Sequence, residues 1–196
     1  MMNFHKFPAT DIPSIFHPFE KEEPFSHCVS CNKLLLENET EYVIEKAIRQ
    51  YPEYGTTDVI FEYAMCLECA EKMRNELSKE SLQRVQKYMM HKSNLVEQSQ
   101  KLREAHNWDI NEWIGKCAFT GQSIKDQTEY QIFAHCRGNQ MVFSMMPYMI
   151  SSQAMDEMAE LLSQKTQDEL NRFVNDNFGI PPELKKPILD NPVLLL

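Results

Sequence analysis

The sequence predicts an α+β fold of two tandem units, each a short knuckle followed by a β-hairpin and helices, with a metal in the first unit only. Three observations carry this reading. Cys28, Cys31, Cys66 and Cys69 form two Cys-x-x-Cys pairs with 34 residues between them. Segments rich in Val, Ile, Thr, Tyr and Phe give way, after the second pair, to apolar residues spaced three and four apart, a change from strand to helix periodicity. From Cys117 onward the same order of features returns.

Residues 1–27 interleave Pro8, Pro13, Pro18 and Pro24 with five phenylalanines. Proline at that density excludes a long helix, and the phenylalanines favour burial. An extended arm lying across the body is expected. The first unit, residues 28–106, opens with "CVSCNK". "EYVIEKAIRQY" and "TTDVIFEYAM" follow as strands joined by a "PEYG" turn. Ala70, Met73 and Leu77 then mark a helix, Ser78 and Ser81 a break with a new N-cap, and Val85, Tyr88 and Met89 a second helix running to about Ala105. "HNWDINEW" ends it. The second unit, residues 107–179, contains "GKCAFTGQ", a strand "EYQIFAHC", a "RGNQ" turn, "MVFSMM" and two helical segments. Thr166 and Glu169 have capping-box spacing, and Gly179 is a plausible stop. Residues 180–196 form a proline-broken tail ending "VLLL", expected to dock on the body or to serve as a partner peptide.

The chain has 196 residues, 42% hydrophobic and 25% charged, an ordinary globular profile with room for one larger domain or two small ones. No apolar run approaches the ~20 residues that a membrane helix needs. "MMNFHKFPATDIP" lacks the basic and apolar regions of a secretory signal. A cytoplasmic location with reduced thiols is therefore expected, where six cysteines favour metal binding or catalysis over disulfides. The net charge of −9, without a clustered basic segment, disfavours a nucleic-acid partner.

The two halves repeat each other in weak but ordered matches. "CVSCN" and "CAFTG" begin 89 residues apart, and each half then carries "TEY" with an isoleucine two residues on. Met73, Leu77, Ser78, Val85, Tyr88 and Met89 match Met158, Leu162, Ser163, Leu170, Phe173 and Val174 at a constant offset of 85. "YAMCLEC" falls beside "FSMMPYM", which sets Met146 opposite Cys66 and Met149 opposite Cys69.

Four cysteines in two such pairs suit Zn²⁺, which takes soft ligands at tetrahedral corners with Zn–S near ~2.3 Å. Each pair directs two sulfurs at one ion through a tight turn. Asn32 and Gly121 follow the two knuckles and readily accept the left-handed backbone such a turn needs. The second pair opens a helix, whose positive end favours thiolates. A redox dithiol would need only one pair, and buried free thiols would leave the matched spacing unexplained. Four protein ligands close the shell and leave no position for a reactive water, so the ion's expected role is structural.

This arrangement resembles the treble-clef zinc finger over about residues 26–80, on "CVSC" and "CLEC" with the hairpin between them. The resemblance implies one structural Zn²⁺ and a scaffold used in protein interaction, nucleic-acid binding and some nucleases, and it does not select among these. The His-Asn-His nucleases need a histidine-rich strand, whereas "YVIEKAIRQY" contains no histidine.

At the corresponding positions the second unit is expected to carry Cys117, Thr120, Met146 and Met149, a poor zinc set. It reads as a copy whose ion has been replaced by an apolar methionine cluster. A site of Cys117, His135 and Cys136 is a rival, opposed by the opposite facing of strand neighbours; Cu(I) on methionines and Cys117 is another. His27 reads as a loop residue or a neighbour of the zinc site, and Trp108 and Trp113 as packing between the halves. No glycine-rich phosphate loop is present. The function expected is non-catalytic: a zinc-binding interaction or adaptor module with an unknown protein partner. The alternatives are an enzyme with a pocket between the repeats, and a nucleic-acid-binding finger disfavoured by charge. Oligomeric state is not legible in the sequence.

Overall fold

The computed structural model describes residues 7–178; the expected stop at Gly179 and the tail over 180–196 lie outside them. The fold is α+β. One antiparallel sheet has strand order β1-β5-β4-β2-β3, with β6 also paired to β4. The strands are β1 (Ala9–Asp11), β2 (Glu41–Tyr51), β3 (Thr56–Cys66), β4 (Glu129–Arg137), β5 (Gln140–Val142) and β6 (Tyr148–Ser151). The helices are α1 (Leu67–Glu76), α2 (Lys79–Lys92), α3 (Leu95–Glu104), α4 (Ile110–Ile114), α5 (Ser152–Ala159) and α6 (Gln164–Phe178). None of the described helices is long and apolar enough to cross a membrane.

The first hairpin forms where β-branched and aromatic residues predict it, with Gly55 at φ 61° in its turn. The first strands of the two halves, β2 and β4, then pair side by side from Glu41↔Arg137 to Arg49↔Glu129. Glu45 faces Phe133 at the middle of this ladder. Three residues to either side, Tyr42 faces Cys136 and Ile48 faces Tyr130. The tyrosines of the two "TEY" triplets thus sit at mirrored positions. Burial is greatest along β4 and in the middle of β2, where even Glu45 and Lys46 are covered.

Helices pack on this sheet through the apolar residues that mark their periodicity. Met73, Val85, Met158, Leu170, Phe173 and Val174 are all buried. Phe173 meets the Tyr63 ring edge-on at 5.5 Å, and Phe178 lies 6.2 Å from Phe61. The starts of α2 and α6 meet in a small group of hydroxyls. Ser78 N–H donates to Thr166 Oγ1 at 3.0 Å, and Ser163 N–H donates to Ser81 Oγ at 2.8 Å. Each helix start thereby satisfies an orphan donor of the other.

Three local expectations change. The second helix ends at Lys92 rather than near Ala105, because Ser93 closes it and Asn94 N–H donates to Ala118 O at 3.0 Å, starting α3 in a new direction. Thr166 does not cap α6. Ser163 Oγ accepts from Thr166 N–H at 3.4 Å, and Thr166 serves the hydroxyl group instead. "MVFSMM" is strand only to Val142, and the chain rejoins the sheet at Tyr148.

The described part of the arm lies on the body. Strand β1 pairs with β5, Ile12 and Phe16 are buried, and Phe19 remains exposed. Its fastening is polar. Buried Lys46 pairs with Glu62 at 3.0 Å and donates to His17 O at 2.5 Å, while Glu62 Oε1 accepts from Phe19 N–H at 2.7 Å. The pair is kept in the interior because both charges also satisfy arm backbone groups.

Candidate metal centre

Two short pieces of backbone bring the four cysteines together. In the knuckle, Cys28 N–H donates to Lys33 O and Asn32 N–H to Cys28 O, each at 2.9 Å. Asn32 takes φ 59°, the left-handed turn expected of it. Val29 N–H donates to Ala64 O at 2.9 Å, which ties the knuckle to the end of β3. Cys66 closes that strand and stands at the N-cap of α1; Cys69 lies in the first helical turn.

The sulfurs of Cys28, Cys31, Cys66 and Cys69 all lie within 4.8 Å of one another. Cys31 Sγ and Cys66 Sγ are 3.8 Å apart. A tetrahedron with ~2.3 Å metal–sulfur bonds has edges of about 3.8 Å; the Cys31–Cys66 edge has that length, and the four thiols are close enough together to hold a single ion. All six cysteines of the chain are free. Among the described residues this is the one group of three or more Cys, His, Asp or Glu side chains gathered closely enough to hold an ion.

Electrostatics favour a cation there. Burial pushes the Cys28 thiol up, but the N–H groups of Cys66, Cys31 and Ser30 outweigh it and bring it down to about 7. Cys66 and Cys69 move up, first through burial and then through neighbouring sulfurs. Thiols this crowded cannot all ionise alone, and a divalent cation relieves that repulsion. The donor set is all thiolate, suited to Zn²⁺ and other soft ions. Cys28 and Cys66 are buried, Cys69 is half-buried and Cys31 is exposed.

The second half places Cys117 in a matching knuckle. Cys117 N–H donates to Gln122 O at 2.8 Å, Gly121 N–H to Cys117 O at 2.9 Å, and Gly121 has φ 72°. The expected methionine partners are not the groups bonded to its sulfur. Cys117 Sγ accepts from Ser151 Oγ at 3.2 Å and from the N–H groups of Ser151, Thr120 and Phe119 at 3.3, 3.4 and 3.5 Å. Burial pushes this thiol up, and these donors outweigh it and bring it down. Ser151 is the N-cap of α5 as Cys66 is of α1. Ser151, not Met146, therefore stands where Cys66 stands, and Ala154, not Met149, where Cys69 stands.

Cys136 and His135 do not join Cys117. They are strand neighbours paired to Tyr42 and Val43, and so they face opposite sides of the sheet. Burial moves the Cys136 thiol up and holds His135 down at about 4. His27 is exposed and bonds Ser26 Oγ at 2.8 Å, outside the sulfur cluster. Trp108 and Trp113 pack on Phe143 at 5.2 and 5.0 Å. The sequence reading named no lining residues for a cleft, and the described residues form two worth noting. One, of 490 Å³, lies beside Cys69 between α1 and α6, lined by Ser30, Met73, Arg172 and Phe173 among others. The other, of 580 Å³, lies among α3, α4 and the second knuckle. No contiguous sequence signal marks either, since each is lined from separate elements.

No family model, no curated protein and no solved structure matches this chain.

Proposed function

We propose that the chain is a zinc-binding, non-catalytic module that serves protein interaction or adaptor roles in the cytoplasm. In this reading residues 28–106 and 107–179 are tandem treble-clef-like units. The first holds one structural Zn²⁺ on Cys28, Cys31, Cys66 and Cys69; the second is a duplicate without an ion. The observation that carries the reading is the four-sulfur cluster, with every sulfur within 4.8 Å of the others. The zinc would join the knuckle to the end of β3 and the start of α1. With all four positions taken by protein, it would supply no hydrolytic chemistry. The repeated knuckle bonds, the mirrored β2–β4 ladder and the exchanged hydroxyl bonds of α2 and α6 support the duplication.

The test is elemental analysis of the purified full chain, with Cys28→Ser and Cys69→Ser beside it. One zinc per chain, lost in both variants, is expected. A wild-type chain that folds without bound metal overturns the proposal.

A second reading, an enzyme with its pocket between the halves, has one observation in its favour. The cleft beside Cys69 is lined from both α1 and α6. Its Arg172 is engaged by Glu76 at 2.9 Å and by Glu169, which leaves the guanidinium occupied by the protein's own acids. Turnover of any substrate that fails in Arg172→Ala but not in Arg84→Ala would favour this reading.

A further inference from the structure

We infer that residues 117, 120, 151 and 154 form a latent tetrahedral metal site, whose backbone frame is complete and which lacks three of its four sulfurs. The inference rests on the zinc reading of the first half and says where a second ion would bind.

The frame repeats bond by bond. Val29 N–H donates to Ala64 O at 2.9 Å; Ala118 N–H donates to Met149 O at 2.9 Å. Cys66 N–H points at Cys28 Sγ at 3.4 Å; Ser151 N–H points at Cys117 Sγ at 3.3 Å. The Cys31 and Cys66 sulfurs approach to 3.8 Å, and the Thr120 and Ser151 hydroxyl oxygens approach to 3.4 Å. Ala154 is the fourth member: it follows the N-cap of α5 by three residues, as Cys69 follows the N-cap of α1. The bridges His27↔Leu34 and Lys116↔Ser123 close the two knuckles alike. A chance likeness of two turns would not also reproduce the separation between side chains from different segments.

The same comparison explains how the second frame stands without an ion. Its one sulfur carries four hydrogen-bond donors, three N–H groups and the Ser151 hydroxyl. These donors supply the positive field that a cation supplies to thiolates. Ala154 is fully buried and Thr120 half-buried, so a metal placed here would be more enclosed than one in the first half, where Cys31 is exposed.

The experiment is the triple variant Thr120→Cys, Ser151→Cys, Ala154→Cys in the full chain. Zinc per chain is read by elemental analysis, and Co²⁺ absorption reads the number of thiolate ligands. Two zinc ions per chain are expected against one in wild type. Adding Cys117→Ser should change the spectrum of the second site alone, from four thiolates to three. A folded triple variant that still holds one zinc overturns the inference and leaves the first site standing. A wild-type chain without zinc would instead overturn the zinc reading, and the triple variant would still report on the second frame by binding one ion or none. The control Thr120→Ser, Ala154→Ser keeps Ser151 and fills the same positions with oxygen. If the control folds but the cysteine variant does not fold even with zinc supplied, or if neither folds, the frame cannot accept ligands and the inference fails.

Discussion

The two knuckles solve one problem with different chemistry. In the first, four sulfurs crowd together and Cys31 is exposed. In the second, one buried sulfur collects four hydrogen bonds, and apolar side chains do the rest. Position 30 is an exposed serine, while its counterpart Phe119 is buried and stacks on Tyr88 with ring centroids 5.5 Å apart. Tyr88 also donates to Glu157 Oε2 at 2.8 Å, closing the space over α5. The counterparts of Tyr88 and Glu157 are Phe173 and Lys72, and they line an open cleft of 490 Å³. The knuckle with four clustered thiols leaves its neighbourhood open; the knuckle with one is held by packing and hydrogen bonds around it.

The largest expected effect separates the halves directly. Structural zinc contributes ~10–16 kcal/mol of apparent binding energy in small zinc domains. Removing the ion with a chelator should lower the thermal transition steeply, with the loss of hydrogen-exchange protection starting at Val29, Ala64 and Cys66 and reaching Cys117 later. Equal, simultaneous loss around Cys117 would break the comparison.

Next in size is the arm's fastening, which only the first half possesses. Lys46 faces Glu62 across β2 and β3, and its counterpart in the second half is Ala134. Lys46→Ala leaves the half-buried Glu62 without its cation and should cost about 3 kcal/mol in urea unfolding. A cost below 1 kcal/mol would show the pair to be well solvated.

Cys117→Ala tests the metal-free solution. It leaves the Ser151 hydroxyl and three N–H groups without their acceptor and should cost about 2 kcal/mol. Cys117→Ser should cost less, and zinc content should stay unchanged in both. The smallest effect is Tyr88→Phe, which removes one partly exposed hydrogen bond for about 1 kcal/mol. A larger loss would mean that the Tyr88–Glu157 contact, rather than the Phe119 stack, closes the second half.

Much of this contrast was legible in the sequence, and what was missed has physical reasons. The hairpin over residues 41–66 shows in its β-branched and aromatic runs, and the Ser78 cap in the residue type. The four cysteines announce their site because metal ligands must occur at fixed spacing. Ser151 was hidden because its role is played by a common polar residue. The constant offset of 85 linking Met73 to Met158 also links Cys66 to Ser151. Aligning on the methionines instead slipped the register by the length of the irregular stretch between Val142 and Tyr148. The pairing of β2 with β4 joins segments nearly ninety residues apart, and local pattern says nothing about such a partner. Ser163 and Thr166 both suit a helix start, and only the approach of α2 decides which one caps α6.

The most direct test compares zinc per chain in wild type, Cys66→Ser and Cys117→Ser, purified side by side. The account predicts one zinc in wild type, a large loss in Cys66→Ser and one zinc in Cys117→Ser. No zinc in wild type, or loss of zinc in Cys117→Ser with retention in Cys66→Ser, would contradict it.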